Sequence, residues 1–510
     1  MKPFSAPLDD ILFTLTHVAG AARLPHWDGE LAAEIGGHFA AFAEEQLAPL
    51  NEPGDAQGCR QEDGRVIMPE GFKEAYQAYA EQGWPGLTVP ERFGGQGLDA
   101  TALSITSEIF TGANHSLQMV TSLASGAVRT LLAFGSEDQQ QRYIPDFASG
   151  EALATMCLTE PEAGSDLSRI RCKAENTGNG WRISGEKIFI SGGDQDMSAK
   201  IHHLVLARTS DEGVKGLSLF LCPCTLVDGS RNAVTVTRIE EKMGLHASPT
   251  CQLRFDSAEA ELVGAEGAGL KAMFTMMNHA RVDVALQGVA HAARAADIAR
   301  TYAAERVQGR GVDGKPVTLD RHADVRRMLD EIDALALGGR AITHLALVTV
   351  EAGEDPDLAE FLTPVAKVCC TEAGMRATEL GMQVLGGYGY LKEYFLEQCY
   401  RDVRITAIYE GANGIHERAL VTRLLPGAAG AAFERFLKDS GAQSAENLSE
   451  WCRARDAVLA SADPSAKAHD FMRLTVKTLL RVLWARMKDK ATHHPDPERI
   501  LRLAEKMLAT

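Results

Sequence analysis

The chain is expected to fold as α+β, mainly α: an N-terminal helical domain, a small central β-barrel, and a C-terminal four-helix bundle with a further helical segment appended. Three observations predict this. Apolar residues recur at helical spacing through the first 150 residues, short β-like runs follow to about residue 265, and the helical period then returns and persists. A chain of 510 residues is too long for one compact core. The expected divisions are 1–150, 151–265, 266–425 and 426–510.

In the first region Leu31, Ile35, Phe39 and Phe42 share a helical face, as do Phe72, Tyr76 and Tyr79, with Gly83 placed to end the second helix. The polar stretch from Gln57 to Pro69 reads as a surface loop, and Trp84 to Leu98 carries too many Gly and Pro for a helix. A helix is predicted over Ser122 to Phe134, with Ser136 as a new N-cap. In the middle region Ile188 to Ser191, Leu204 to Ala207, Leu217 to Leu221 and Val234 to Ile239 read as strands. Cys251, Leu253 and Phe255 alternate with polar neighbours, and Asn179-Gly180 signals a hairpin. No crossover helix separates these strands, so an antiparallel barrel or sandwich is expected rather than a doubly wound sheet. Leu270, Phe274, Met277 and Arg281 open the last region, and long helices are predicted over 282–308, 322–353 and 357–385. The segment after Glu410 supplies the fourth helix of the bundle.

Composition narrows the function classes. Hydrophobic residues make up 45% and charged residues 24%, as in ordinary globular proteins. A net charge of −17 argues against nucleic acid or an anionic membrane as a partner. The ten cysteines form no disulfide framework and lack metal-ligand spacing, so no metal is expected. Asp9 and Asp10 interrupt what would be the core of a secretory signal, and no apolar run approaches the ~18–20 residues of a membrane span. A cytoplasmic location is expected. From Lys467 to Thr510 the chain carries ten Lys/Arg against five Asp/Glu, with Arg473, Lys477 and Arg481 on one stripe. That stripe reads as a solvated helix face or as a docking patch.

Two nucleotide-like patterns fail. Gly309 to Lys315 fits a phosphate loop, but Pro316 stands where a hydroxyl would hold Mg²⁺, and a helix precedes it. Gly386-Gly387-Tyr388-Gly389 lies in helical surroundings, not after a strand. Two other stretches carry the chemistry. In RDVRITAIYEGANGIH (Arg401 to His416), Glu410 follows an apolar run and precedes Gly411. A carboxylate so placed is poorly solvated and hence a stronger base, although an acid before glycine also marks a plain turn or helix end. In MCLTEPEAGSDLSRIRCK (Met156 to Lys173), Thr159 offers a hydroxyl and Ala163-Gly164-Ser165-Asp166 keeps the backbone accessible to a planar or phosphorylated ligand. A polar turn between strands has the same composition.

CLTEPEAGSD, GEKIFISGG (Gly185 to Gly193), LGGYGY (Leu385 to Tyr390) and RD-x-RI-x-x-IYEGANGI (Arg401 to Ile415), in this order and spacing, resemble the acyl-CoA dehydrogenases over roughly residues 30–425. The resemblance implies the same three-part fold, FAD as cofactor, and a role in fatty acid metabolism such as β-oxidation. FSAPLDDILF and the C-terminal extension look like a longer subgroup that includes enzymes of methylthiopropionyl-CoA. By resemblance Glu410 is the catalytic base. Leu158, Thr159, Gly164, Ser165, Phe189, Ile190 and Ser191 match positions at the flavin and its pyrophosphate. Arg306, Gln308, Gln383, Gly386 and Gly387 match positions holding the adenine half of FAD on a neighbouring subunit, which implies a homodimer or homotetramer. Asn278, Arg281 and Gly411 match substrate positions. The reaction implied is α-proton abstraction by Glu410 with β-hydride transfer to flavin N5, giving a trans-2-enoyl-CoA, and electrons passing to an electron-transfer flavoprotein. The same fold also serves acyl-CoA oxidases and nucleic-acid-binding flavoproteins, and these are the alternative readings. Ala412, Phe189, Gly192 and Met156 depart from residues common in the family (Thr, Trp, Asn and an aromatic).

Overall fold

The computed structural model describes residues 3–440 and 445–509; residues 1–2, 441–444 and 510, which belong to the expected first and last divisions, lie outside the described residues. The helices in chain order are α1 (Leu8–Phe13), α2 (Gly29–Phe42), α3 (Asn51–Gln57), α4 (Phe72–Glu81), α5 (Ala100–Thr121), α6 (Leu123–Phe134), α7 (Glu137–Ala148), α8 (Gly269–Glu305), α9 (Ala323–Ala352), α10 (Pro356–Leu385), α11 (Leu396–Val403), α12 (Asn413–Ala419), α13 (Ala428–Asp439), α14 (Ala445–Leu459), α15 (Ala468–Lys490) and α16 (Pro497–Ala509). The strands are β1 (Arg60–Glu62), β2 (Arg65–Ile67), β3 (Ala152–Cys157), β4 (Lys173–Asn176), β5 (Trp181–Ser191), β6 (Lys200–Arg208), β7 (Leu217–Pro223), β8 (Val234–Ile239), β9 (Thr250–Val263), β10 (Val307–Arg310) and β11 (Pro316–Thr318). The expected helical, β, helical order is therefore present. The chain divides into two units: residues 1–45, 100–113 and 281–510 form the first, and 46–99 with 114–280 the second.

In the second unit, β6, β4, β5, β9 and β7 pair in that order, and β7 pairs back onto β6, closing a five-stranded ring; β3 and β8 flank it. Two pairings, β3 with β6 and β4 with β6, are parallel, which corrects the expectation of a wholly antiparallel barrel. The stretch between β3 and β4 is long enough to turn the chain back to the same direction. Cys251, Leu253 and Phe255 are buried, as their alternation predicts, and β6 and β7 are buried except at their ends, with His202, His203 and Ser218 among their apolar residues. The hairpin near Gly180 is present, its connection running over residues 177–180 with Thr177 N–H donating to the Gly180 carbonyl. Residues 57–69, expected as a loop, contain the β1–β2 hairpin. Ser136 caps α7 with a reciprocal Gln139 contact, and Gly83 lies just past α4 with φ +79°.

The first unit is built on α8, α9, α10 and the run from α12 through a π-turn at Leu420–Leu424. The predicted helix to residue 308 stops at Glu305, because Val307–Arg310 pairs with Pro316–Thr318 as a small hairpin. On α2 Phe39 and Phe42 are buried but Leu31 is exposed; Ala32 and Gly36 complete the buried face instead. The C-terminal helices share one core with the bundle: Phe361, Leu362, Phe433, Trp451, Leu479, Trp484 and Ile500 belong to the same cluster. Charged groups are buried with it. Arg340 on α9 grips Glu108 on α5 at 2.6–3.1 Å, and Arg499 on α16 bridges Asp10 and Asp333. The basic stripe of α15 is partly engaged, since Arg473 donates to His469 and lies 3.6 Å from Glu372. Among the described residues α9 is long and apolar enough to cross a membrane, a longer apolar stretch than the sequence reading credits; 94% of its apolar window is buried within the chain.

Candidate active site

Within the first unit, α11 ends at Val403, a 3₁₀ turn covers Arg404–Ala407, and α12 restarts at Asn413. Between them Glu410 (φ +53°) and Gly411 (φ +95°) take left-handed conformations in succession. Glycine does so freely, whereas a residue with a Cβ is strained by about 1 kcal/mol or more and must be held there. The holding groups come from three helices. Arg281 of α8 donates Nε–H to the Glu410 carbonyl at 3.4 Å, and His416 of α12 places Nε2 3.1 Å from the same oxygen. Lys367 of α10 donates Nζ to the Gly411 carbonyl at 2.8 Å and to Asn413 Oδ1 at 2.9 Å. Thr371, one turn along α10, accepts from Asn413 Nδ2 at 3.1 Å. A Cβ on residue 411 would fall 2.8 Å from His416 Nε2, so glycine is required on steric grounds as well.

The electrostatics single out Glu410. The residue is half-buried, yet its Oε2 is sealed from solvent and has no hydrogen-bond partner among the described residues. Burial pushes its carboxyl up to about 7; Arg281 and Lys367 pull downward and Asp283 adds to the rise. Burial lowers Lys367 to about 7, with Glu410 opposing and Arg281 reinforcing. His416 is lowered to about 3 by burial and by the same two cations, so its ring is neutral at physiological pH. Tyr409 donates to Gln287, which donates to Asp283 at 3.3 Å, and Ser107 also donates to Asp283. The arrangement is a carboxyl poised near neutrality, with an oxygen left for a ligand's proton.

In the second unit the 158–165 segment lies beside the end of β5, because Ile188 N–H donates to the Thr159 carbonyl at 2.9 Å. This brings Leu158 and Thr159 to Phe189, Ile190 and Ser191. A register shift between Lys187 and Ile190 turns Phe189 out of the barrel (φ +58°), and its ring is 60% exposed while Ile190 is buried. Gly164 and Ser165 are exposed, and a Cβ at 164 would meet nothing within 4 Å. A fully buried ion pair, Lys187 to Glu160 at 2.8 Å, anchors this segment; Lys187 also donates to the Leu158 carbonyl. The sequence reading missed it.

The remaining expected residues lie in the first unit, apart from Asn278. Gln383, Gly386 and Gly387 are exposed at the end of α10, Gly386 at φ +61°, and both glycines face open space. Arg306 joins them through its guanidinium, 5.7 Å from the Tyr388 ring. Gln308 is on β10, with its carbonyl 2.7 Å from His322 Nε2. Asn278 is exposed on α8, three residues before Arg281. Lys367, Asp283, Gln287 and His416 were not foreseen. Lys367 alone left a signal, a single cation within the apolar helical run TPVAKVCC.

Three family models match the chain: acyl-CoA dehydrogenase N-terminal domain over residues 32–151, middle domain over 155–258, and C-terminal domain over 267–425. The chain is 40% identical over 493 residues to a 3-methylmercaptopropionyl-CoA dehydrogenase of Ruegeria pomeroyi, covering 91% of this chain and 81% of the relative. The butyryl-CoA dehydrogenase structure from Megasphaera elsdenii matches 78% of this chain and 98% of its own at 26% identity, with a TM-score of 0.68. Caenorhabditis elegans ACDH-11, solved with C11-CoA, has the same fold over 100% of this chain and 92% of its own, at a TM-score of 0.83 and 20% identity.

Proposed function

The chain belongs to the acyl-CoA dehydrogenase family of FAD-dependent oxidoreductases, and from that premise we propose that it desaturates an acyl-CoA thioester between Cα and Cβ with Glu410 as the base. The observation that carries this reading is the Glu410 carboxyl itself: raised to about 7, with Oε2 closed off from solvent and without a hydrogen-bond partner among the described residues. A thioester α-hydrogen is weakly acidic, so the base needs both elevated basicity and a stabilised enolate. Burial supplies the first. For the second, the Glu410 backbone N–H donates to the thioester carbonyl oxygen, a contact typically worth ~3 kcal/mol of barrier in a dry site. Arg281 and His416, both on the Glu410 carbonyl, fix the peptide from which the side chain projects.

FAD, when bound, supplies the two-electron acceptor that takes the β-hydrogen as hydride, a chemistry no side chain offers. The residues present fit it: Leu158, Thr159, Gly164, Ser165, Phe189, Ile190 and Ser191 would hold the flavin half, and Arg306, Gln308, Gln383, Gly386 and Gly387 the adenine half of a neighbouring copy's FAD. The outward Phe189 ring and the open approaches at Gly164 and Gly386 support this placement. The working form is then a homo-oligomer, cytoplasmic, with an electron-transfer flavoprotein as electron acceptor. Asn278, Arg281 and Gly411 would face the acyl-CoA. Because the methylmercaptopropionyl relative aligns over most of this chain, short thioether acyl-CoAs are the first substrates to test.

Anaerobic bleaching of bound flavin by 3-methylmercaptopropionyl-CoA and by linear acyl-CoAs of increasing length tests this. Glu410→Gln should retain flavin and lose bleaching by about 10³-fold. Bleaching at the wild-type rate would overturn the assignment of the base.

A further inference from the structure

We propose that Lys367 is a positioning residue for Glu410: its ammonium pins the reversed loop behind the base and stands as a charge partner to the carboxylate. This rests on the reading of Glu410 given above. Lys367 is completely buried on α10, between Val365, Ala366 and Val368, which are themselves buried. An ammonium in such surroundings is costly unless paired, and an apolar side chain would suit the helix better. Both of its hydrogen bonds go to one place, the Gly411 carbonyl and Asn413 Oδ1, the first and third residues after Glu410. Thr371, on the same face one turn later, holds the other end of the Asn413 amide. α10 thus holds the base loop at the Gly411 carbonyl and at Asn413, directly after two consecutive left-handed residues.

The charged and titratable groups around this point come from several elements. Glu410 and Tyr409 lie on the loop, Arg281 and Asp283 on α8, and His416 on α12; Arg423, after α12, acts on Arg281. Arg281 and Lys367 are the two cations acting on Glu410, and Asp283 opposes them. Lys367 and Glu410 titrate in the same pH range, and the protonated form of Lys367 favours the carboxylate as the carboxylate favours it. Removing the ammonium must raise the pH at which Glu410 becomes competent, whereas a spacer that only filled the helix would leave that pH in place.

The test is the pH profile of anaerobic flavin bleaching for Lys367→Met, Lys367→Arg and Asn413→Ala, with flavin content and thermal melting measured alongside. Lys367→Met should lower the rate at pH 7 at least about 10-fold and move the acid limb upward by about half a pH unit or more. Lys367→Arg, which keeps the charge, should return the limb to its wild-type position even if the rate stays low. Asn413→Ala keeps the charge and removes one anchor, so it should slow bleaching with the limb unmoved. A Lys367→Met protein with native flavin content and an unmoved limb would overturn the proposal. If that variant does not fold, an Lys367→Arg limb displaced from wild type, or an Asn413→Ala rate equal to wild type, overturns it instead. Glu410→Gln in the same series separates the two readings: wild-type bleaching there removes the base assignment, while its loss together with an unmoved Lys367→Met limb removes only the role of Lys367.

Discussion

Glu108 and Glu410 are both carboxylates drawn away from water within the first unit, and they differ in what meets them. Burial pushes the carboxyl upward in each case. At Glu108, Arg340 contacts both oxygens, and neither side chain has any exposure. At Glu410 the nearest cations bond to backbone carbonyls, leaving Oε2 without a partner among the described residues. A buried acid that is fully paired serves the architecture; one whose cations hold its backbone keeps its basicity available. The contrast teaches that burial alone does not make a base. What counts is where the neighbouring donors point.

The comparison breaks most visibly at the paired site. Arg340→Met should destabilise the protein by about 3–5 kcal/mol, since it leaves Glu108 buried without its partner, and denaturant titration would measure it. The double variant Arg340→Met, Glu108→Gln should recover part of that loss; no recovery would mean that Arg340 works mainly through Asp10. A pH effect of opposite sign to that at Glu410 is expected at Asp10. Burial raises its carboxyl, but the His494 bond, Arg499 and Arg340 outweigh this and hold it below its ordinary value. Its stabilising contribution is present above the unfolded value near 3.8 and lost as pH falls below it, so Asp10→Asn should flatten the acid arm of the stability curve.

At the unpaired site the expected effects are smaller in energy. Bleaching by acyl-CoA should rise with pH through a limb near 7, reporting Glu410 in the free enzyme. A folded value above the unfolded 4.5 means that Glu410 lowers stability as pH rises from about 4.5 to 7. Glu410→Gln should therefore melt about 1 °C higher than wild type at pH 8 and equally at pH 4, a shift of about 1 kcal/mol after allowance for partial exposure. Equal melting at both values would show that solvent reaches the carboxyl.

Much of the architecture was legible because it rests on local rules. The helical period of α8 to α10, the capping box at Ser136, the stop at Gly83 and the buried alternation of Cys251, Leu253 and Phe255 each depend on neighbours within a few residues. The β1–β2 hairpin escaped notice because Arg60–Glu62 is wholly polar and exposed. The parallel β3–β6 pairing escaped because strand direction is set by the path between strands, not by their composition. At the candidate site, the acid before Gly411 and the family resemblance pointed to Glu410, whereas Asp283, Gln287 and Lys367 lie 43 or more residues away along the chain.

By itself the sequence determined that residue 410 is a carboxylate after an apolar run, and that glycine follows it to allow the chain to reverse. Only the tertiary structure decided how this carboxylate is held and where it titrates. Its left-handed backbone is held by donors from α8, α10 and α12, and the pull of Arg281 and Lys367 against burial and Asp283 sets where it titrates. Hydrogen bonds and Coulomb interactions act over a few ångströms in space, and no local pattern records which distant residues the fold will bring within that range.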